Sequence, residues 1–206
     1  MAPPRTNTTE DRRTQILQAA MACFARQGYH RTTMDDIVHE SGLSKGSLYW
    51  YFKSKKDLFL AIIDAWISDI NRTLQELSQM EEMTWTDRLR RAAELIAMDI
   101  AKQRDFASLT MEFWAEMQQD EQVRERLVRI YNETLDVLQR FIAAGIKAGE
   151  FRPIDPRAAA AVLIAAFDGM MLQWSMMPDQ IKWPDLGQSI VDIIIHGLER
   201  RKGHDG

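Results

Sequence analysis

Three hydroxyl residues near the N-terminus, Thr33, Ser44 and Ser54, each stand just before a short helical pattern. Asp36 follows Thr33 by three positions, and Asp57 follows Ser54 by three. In that spacing the hydroxyl and the carboxylate satisfy backbone N–H groups that a helix start leaves unpaired. Serine is also a favoured cap where no such carboxylate follows. The pattern therefore predicts three helix starts in close succession.

The segment between the first two starts predicts a tight turn. Glu40-Ser41-Gly42-Leu43-Ser44 ends one short helix and begins another, and Gly42 can take the positive φ that a tight turn requires. Two short helices joined by a Gly-containing turn form a helix-turn-helix, whose second helix can enter a DNA major groove. The stretch therefore predicts a DNA-binding module.

The charge distribution is compatible with DNA binding, although the net charge of the whole chain is −4. Residues 1–60 contain nine Lys or Arg against six Asp or Glu, a net charge of +3, and the remaining 146 residues contain 17 against 24, a net charge of −7. A basic head on an acidic body suits a protein that touches phosphate with one end only.

Strand signals are almost absent, because no stretch alternates cleanly between apolar and polar residues and no Asn-Gly or Asp-Gly pair joins two such stretches as a hairpin turn. Apolar residues recur at helical spacing instead, including a helix expected over about residues 106–118. We expect an all-α protein of about nine helices. An N-terminal three-helix helix-turn-helix DNA-binding domain occupies residues 1–52 in this interpretation, and a helical C-terminal domain occupies residues 53–206.

No constellation typical of an enzyme is present. The histidines are scattered, and the sequence has no HExxH, no GxSxG and no Gly-rich phosphate loop. The single Cys23 excludes an intramolecular disulfide and a cysteine-based zinc site, and its position on an apolar helix face indicates a buried small side chain. We therefore expect no enzymatic activity, no metal site and no cofactor.

No segment of the sequence predicts a signal peptide or a membrane-spanning helix. Ala2 to Arg13 is polar and lacks the apolar core of a signal peptide. The longest apolar run, Ala158 to Phe167, is too short to span a bilayer. We expect a cytoplasmic protein with no membrane contact.

The helix that begins after Ser44 has its polar residues first, at the end where a recognition helix contacts base edges. Lys45 can donate to guanine, and Ser47 can contact either kind of base edge. Gly46 has no Cβ, so the backbone can approach DNA closely there. This end of the helix is therefore the candidate reading surface.

The aromatic part of the same helix has two interpretations. The hydroxyls of Tyr49 and Tyr51 can reach phosphate oxygens, which fix position without reading sequence, but Tyr-Trp-Tyr can equally be ordinary core. Leu48 and Phe52 are expected to face inward. Lys55 and the free N–H groups at the start of the fourth helix form a candidate phosphate site. The expected DNA contacts are Thr33, Ser44, Lys45, Gly46, Ser47, Tyr49, Trp50, Tyr51 and Lys55.

One set of residues within 12–60 forms a recognisable pattern: Ile16-Leu17-Gln18-Ala19-Ala20, Phe24, Gly28-Tyr29, Thr32 to Ile37, Ser41 to Tyr49, Phe52 and Lys55 to Leu58. With these residues the segment resembles the TetR family of bacterial transcriptional regulators. One departure is Tyr51, where many members carry His, and a phosphate-contacting role survives that change. The resemblance implies an all-α homodimer with a small DNA-binding head and a ligand-binding, dimerising body.

The body is rich in large, adaptable apolar side chains, which either pack as ordinary core or line an apolar cavity with a few polar anchors. The candidate anchors are Glu112, Asp136, Asp168 and Gln173, and acidic groups beside tryptophans would favour a cationic or aromatic ligand. The candidate ligand contacts are Trp66, Phe106, Met111, Trp114, Met117, Phe167, Met170, Met171 and Trp174.

The last two helices are the candidate dimer interface. Small residues crowd the first of them, over 158–166, and allow close helix approach. The second, over about 186–200, has more apolar surface than one core-facing stripe requires. Two such helices from each chain would build a four-helix bundle about a two-fold axis. The candidate residues are Ala159, Val162, Leu163, Ala166, Ile190, Val191, Ile194 and Leu198.

The sequence therefore favours a repressor that binds a pseudo-palindromic DNA operator as a homodimer and is released by a small, largely apolar ligand, aromatic or cationic in type. The alternative is a DNA-binding protein of the same fold without a small-molecule inducer, controlled by protein contacts. A fully packed body without a cavity would favour that alternative.

Overall fold

Helices make up nearly all of the chain that the computed structural model describes, which is residues 9–102, 118–177, 179–180 and 192–198. These parts contain eight helices and no strand, as expected for an all-α protein. The helix expected over about residues 106–118 lies almost wholly outside them. The helices are α1 (Thr9–Gln27), α2 (Met34–Ser41), α3 (Lys45–Tyr51), α4 (Lys55–Ser78), α5 (Trp85–Lys102), α6 (Glu121–Lys147), α7 (Pro156–Met176) and α8 (192–198).

The three predicted helix starts are confirmed. Thr33 and Asp36 form a reciprocal capping box, in which each side chain accepts a hydrogen bond from the other residue's backbone N–H. Ser44 and Ser54 cap α3 and α4. At the last start the carboxylate of Asp57 accepts from the backbone N–H of Lys53 rather than from that of the cap residue. The three caps therefore fix where each of these closely spaced helices begins.

The turn between α2 and α3 depends on Gly42. Its φ is +65°, in the left-handed region, and its N–H donates to the carbonyl of His39 at 3.3 Å. A residue with a Cβ is strained in that conformation. The positive φ predicted for Gly42 is therefore confirmed.

One apolar core runs from the head into the body. In the head it contains Ile16, Phe24, Leu48 and Phe52, so the two side chains expected to face inward do so. Leu58 and the rest of the first turns of α4 belong to the same core, which continues through the start of α6 to the end of α7. The division at residue 52 stays a prediction, and the core crosses it without interruption.

A second core surrounds the ends of α4 and α6. Phe151, in the loop after α6, is buried against Gly145, whose carbonyl accepts the N–H groups of Glu150 and Phe151. A Cβ on Gly145 would lie 2.3 Å from the Phe151 ring, far inside van der Waals contact. This glycine is therefore required by packing and not by backbone conformation.

Helix α7 is long and apolar enough, by length and composition alone, to cross a membrane. The core helix of a helical bundle meets the same test, and α7 packs along α6. Only 28% of its most apolar window is buried within the protomer. The helix therefore leaves much apolar surface uncovered.

Candidate nucleic-acid interface and internal cavity

Helix α3 presents its N-terminal half outward. Ser44 lies at the surface, and its hydroxyl accepts from the backbone N–H of Ser47 at 3.1 Å. Lys45 and Gly46 are exposed, whereas Leu48 is fully buried and fixes the helix on the core. Capping and packing thus hold the polar end of the helix in a defined orientation towards solvent.

Lys45 is bound to α2 in the free protein. Its Nζ lies 2.7 Å from Asp35 Oδ1, and both side chains are exposed. The pKa of Lys45 is raised above its ordinary value, first by this hydrogen bond and then by the charge of Asp35. The lysine is therefore held positively charged, and a solvated ion pair of this kind is weak enough to exchange for a contact with DNA.

Neither backbone conformation nor packing within the protein requires a glycine at position 46. Its φ is not positive, and a Cβ built on it would meet no atom within 4 Å. The space outside its backbone is open, which fits the expected close approach to DNA.

The aromatic residues of α3 divide between the two interpretations. Tyr49 and Tyr51 are half-buried and pack against the head core. Trp50 is 66% exposed, with its ring centroid 4.6 Å from that of Tyr51. An exposed tryptophan beside polar helix residues adds a contact surface that the core does not need.

A groove runs along this face between α1 and α3. It is lined by Ser44, Gly46, Ser47, Trp50 and Tyr51 from the predicted set, together with Thr9 and Arg12 of α1. Sequence reasoning did not assign the last two. The signal available for them was the Arg12-Arg13 pair at the start of the basic head.

Two predicted contacts have roles inside the protein. Lys55 Nζ donates to the carbonyls of Tyr29 and His30, at 2.5 and 3.0 Å, and lies 4.4 Å from the centroid of the Tyr29 ring. Its ammonium therefore ties α4 to the loop after α1, and a phosphate contact by Lys55 stays a prediction. The Thr33 hydroxyl is exposed and also donates to Asp36 Oδ2 at 2.8 Å.

The body contains an apolar cavity of about 160 Å³ between α4, α5, α6, α7 and α8. Three of the predicted ligand contacts line it, namely Trp66, Phe167 and Met170. The other lining residues are Ile67, Ile70, Leu74, Leu89, Ala92, Ala93, Ile96, Ala97, Thr134, Leu138, Leu163, Ile164, Ala166, Asp168 and Ile194.

Other predicted ligand contacts are not found at this cavity. Met171 and Trp174 are buried in the core that joins head and body and are not among the lining residues of this cavity, so a ligand contact there stays a prediction. Phe106, Met111, Trp114 and Met117 lie outside the described residues, as does Glu112.

Of the candidate polar anchors, Asp168 lines the cavity. Burial raises the pKa of its carboxyl from 3.8 to about 6. Asp136 pairs instead with Arg157 at the surface, at 3.0 Å, and Gln173 is exposed. The Thr134 hydroxyl, also in the wall, donates to the carbonyl of Ile130 at 3.2 Å.

The residues predicted at the dimer interface lie in different environments. Leu163, Ala166 and Ile194 line the cavity, and Leu198 is buried within the protomer, so a dimer contact at these four residues stays a prediction. Ala159 is half-buried and packs on the second core. Val162 is 60% exposed. Ile190 and Val191 lie outside the described residues.

Val162 belongs to an outward stripe on α7. Its neighbours along the stripe recur at alternating intervals of four and three residues, which is the spacing of a helix–helix seam. Ile193 of α8 is also 70% exposed. The stripe consists of Ala158, Val162, Ala165, Gly169, Leu172 and Met176.

Two family models match the chain. Residues 16–62 match the model of bacterial regulatory proteins of the tetR family, and residues 85–198 match the C-terminal model of BetI-type transcriptional repressors. The HTH-type transcriptional regulator YfiR of Bacillus subtilis is 30% identical over 185 residues, which are 88% of this chain and 89% of that protein. TtgR of Pseudomonas putida, also an HTH-type transcriptional regulator, is 26% identical over 86% and 90% of the two chains.

Solved structures share the fold. A transcriptional regulator from Saccharomonospora viridis in complex with choline is 27% identical, with a TM-score of 0.77 over 94% of this chain and 100% of that chain. The SmeT–triclosan complex is 24% identical, with a TM-score of 0.77 over 93% of each chain.

Proposed function

The chain belongs to the TetR family of bacterial regulatory proteins, and on this premise we propose that it is a repressor that binds a pseudo-palindromic operator as a homodimer and is released by a small ligand. The observation that carries the proposal is the outward face of α3, where Lys45 and Gly46 are exposed beside the groove that contains Arg12. An exposed basic side chain and an open backbone at the start of a helix are the features expected of a helix that enters a major groove.

The expected contacts fall into two classes. Lys45 exchanges Asp35 for guanine O6 or N7, while Ser47 contacts a neighbouring base edge. Tyr49, Tyr51 and Arg12 contact phosphates, which set position without reading sequence.

The apolar stripe on α7 supports a homodimer. A soluble monomer rarely leaves a continuous apolar seam in water, and the same seam on a second copy is its natural complement under two-fold symmetry. Two heads related in this way can enter successive major grooves when their recognition helices are about 34–36 Å apart.

The cavity supports control by a ligand over control by protein contacts alone. Trp66 and three further residues of its wall belong to α4, whose first turns pack in the head core. Two ion pairs also join α4 to α6: Lys56 Nζ to Asp120 Oδ2 at 2.9 Å, and Arg126 Nη2 to Asp64 Oδ2 at 2.6 Å. A ligand that repositions α4 or α6 would therefore change the head position, and a tenfold loss of DNA affinity needs about 1.4 kcal/mol of differential binding. The choline and triclosan complexes of similar proteins are consistent with a ligand-binding body.

The test combines DNA selection with hydrodynamics. Duplexes retained by the protein from a random pool should share an inverted repeat, and sedimentation should give a dimer on its own and a dimer on one duplex. Lys45→Ala should weaken binding to the selected duplex at least about tenfold, whereas Lys147→Ala, an exposed lysine at the end of α6, should not. Binding without an inverted repeat, or equal binding by both variants, would contradict the proposal.

A further inference from the structure

The cavity contains one ionisable side chain among its described lining residues. Asp168 is that residue, and Thr134 is the one hydroxyl among the lining residues that the structure describes. Thr134 already donates to a carbonyl within α6. Aliphatic and aromatic side chains form the rest of the described wall. A carboxylate in such surroundings has lost most of its hydration without gaining a charge partner from the wall.

We propose that Asp168 binds the positive end of a small apolar monocation, an alkylammonium or arylammonium ion whose apolar body fills the cavity. This inference rests on the proposed function, in that it names the chemical class of the releasing ligand. A cation supplies the missing countercharge to the carboxylate, while its hydrocarbon part replaces water against the apolar wall.

The aromatic rings beside Asp168 strengthen the assignment. Trp66 and Phe167 line the same cavity with their ring centroids 5.9 Å apart and their planes 33° from parallel. A cation is attracted to the face of an aromatic ring, and the attraction grows when both groups are removed from water. The carboxylate and the rings therefore favour the same sign of charge.

The cavity volume limits the size of the ligand. At about 160 Å³ it resembles apolar cavities of about 150 Å³ that accept benzene. A single ring or a short alkyl chain with an ammonium group is the appropriate size. A neutral apolar molecule of the same size is the main rival, and it would bind when Asp168 is protonated, as its raised pKa allows.

Three probes of nearly equal size separate these possibilities by charge: benzylammonium, benzyl alcohol and benzoate. Butyltrimethylammonium provides a second cation of different shape. Each is titrated calorimetrically at about pH 7.5, where most of the Asp168 carboxyl is ionised. The proteins are the full chain, Asp168→Asn, which keeps the shape and removes the charge, and Glu133→Gln, which removes an exposed carboxylate of α6.

We expect at least one cation to bind the full chain and Glu133→Gln at least about tenfold more tightly than benzyl alcohol. Benzoate should not bind. Asp168→Asn should lose this preference for the cation and should bind benzyl alcohol at least as well as the full chain does. The assignment is overturned if neither cation binds, if benzyl alcohol binds as tightly as the cations, or if Asp168→Asn retains cation affinity while its thermal unfolding is cooperative.

The ligand class inferred here and the proposed release mechanism can fail independently of each other. If a cation binds at Asp168 but leaves the complex with the selected duplex intact, the ligand class stands and the proposed release mechanism fails. If the duplex is released by a neutral molecule and not by a cation, the release mechanism stands and this inference fails.

Discussion

Lys45 Nζ lies 2.7 Å from Asp35 Oδ1, so the lysine that we propose reads a base is paired with a carboxylate on the neighbouring helix in the absence of DNA. Because both groups are exposed, the pair is easily broken. The ion pair nevertheless favours some DNA sequences over others, since Lys45 leaves Asp35 only for a DNA group that it binds at least as strongly. When Lys45 leaves Asp35 for a phosphate, Asp35 becomes an uncompensated negative charge on the binding face, and no base contact offsets that cost.

Asp35→Asn should therefore raise affinity for DNA of random sequence by several-fold at low salt, because one repulsive charge is removed from the face. The selected operator should gain less, so the ratio of specific to non-specific affinity should fall. Fluorescence anisotropy over a range of salt concentrations measures both. Glu125→Gln, an exposed change on α6, serves as the control. An unchanged ratio would show that Asp35 has no part in discrimination.

Gly46→Ala and Gly42→Ala should have opposite effects. At Gly46 a methyl group fits the free protein and favours the helix by up to about 1 kcal/mol, yet it should weaken operator binding by about tenfold because it separates the helix from the bases. At Gly42, where φ is +65°, it should destabilise the fold by about 1–2 kcal/mol. Urea unfolding and mobility shifts measure both variants. Full operator affinity of Gly46→Ala would remove the argument for close approach.

Gly145→Ala should destabilise the body by about 1–3 kcal/mol, because its Cβ would lie 2.3 Å from the buried Phe151 ring. Phe151→Leu alone should also cost stability, since a large buried side chain is reduced. Combined, the two changes should cost less than their sum. Urea unfolding of the double-mutant cycle measures this coupling, and strict additivity would mean that the two positions do not compete for space.

Asp168→Asn should change stability in a pH-dependent way. Because the pKa of this carboxyl is raised in the folded chain, from 3.8 to about 6, the folded state holds the proton more tightly than the unfolded state. The resulting stabilisation is fully present below about pH 4 and is lost as the pH rises through 6. At about 1.4 kcal/mol per pKa unit, the loss is at most about 3 kcal/mol.

The asparagine variant should therefore match the parent protein near pH 4 and be the more stable of the two near pH 8. Thermal unfolding at both pH values checks the difference, with Glu133→Gln as the control. A variant that is equally or less stable near pH 8 would show that the carboxylate is not destabilised by its surroundings.

Val162→Glu should dissociate the homodimer and abolish operator binding, since it places a charge in the middle of the apolar stripe on α7. Val128→Glu makes the same chemical change at another exposed valine, on α6, and should leave both properties intact. Sedimentation and mobility shifts provide the measurements. A dimeric Val162→Glu protein would require a different interface.

The head was largely predictable from its sequence because its determinants are local. Thr33, Ser44 and Ser54 act on N–H groups within three residues of themselves, and Gly42 acts through its own backbone. Lys55 shows the limit of such reasoning. Its ammonium binds carbonyls 25 and 26 residues away, a contact that exists only after the head has folded.

The body was less predictable because α7 is apolar around most of its circumference. Val162 faces solvent, Leu163 faces the cavity, and Met171 is buried in the core. Periodicity identifies a helix when one side is apolar, but it does not distinguish core, cavity and partner when every side is. The cavity residues of α5 were missed for a related reason, since small and aliphatic side chains there resemble ordinary core.

Helix α4 contributes both to the head core and to the cavity wall, so its length determines how far a movement at the cavity displaces the head. The helix has 24 residues, about 36 Å at 1.5 Å per residue, and Trp66 lies about 16 Å from Lys55. A stiff rod that pivots at the cavity by about 10° moves its far end by about 3 Å. In a two-fold dimer the N-terminal ends of the two α4 helices would move in opposite directions. The distance between the two recognition helices would then change by about 6 Å, half the width of a major groove. A displacement smaller than one side chain at the cavity would thus change the separation of the two recognition helices so that it no longer matches the spacing of successive major grooves.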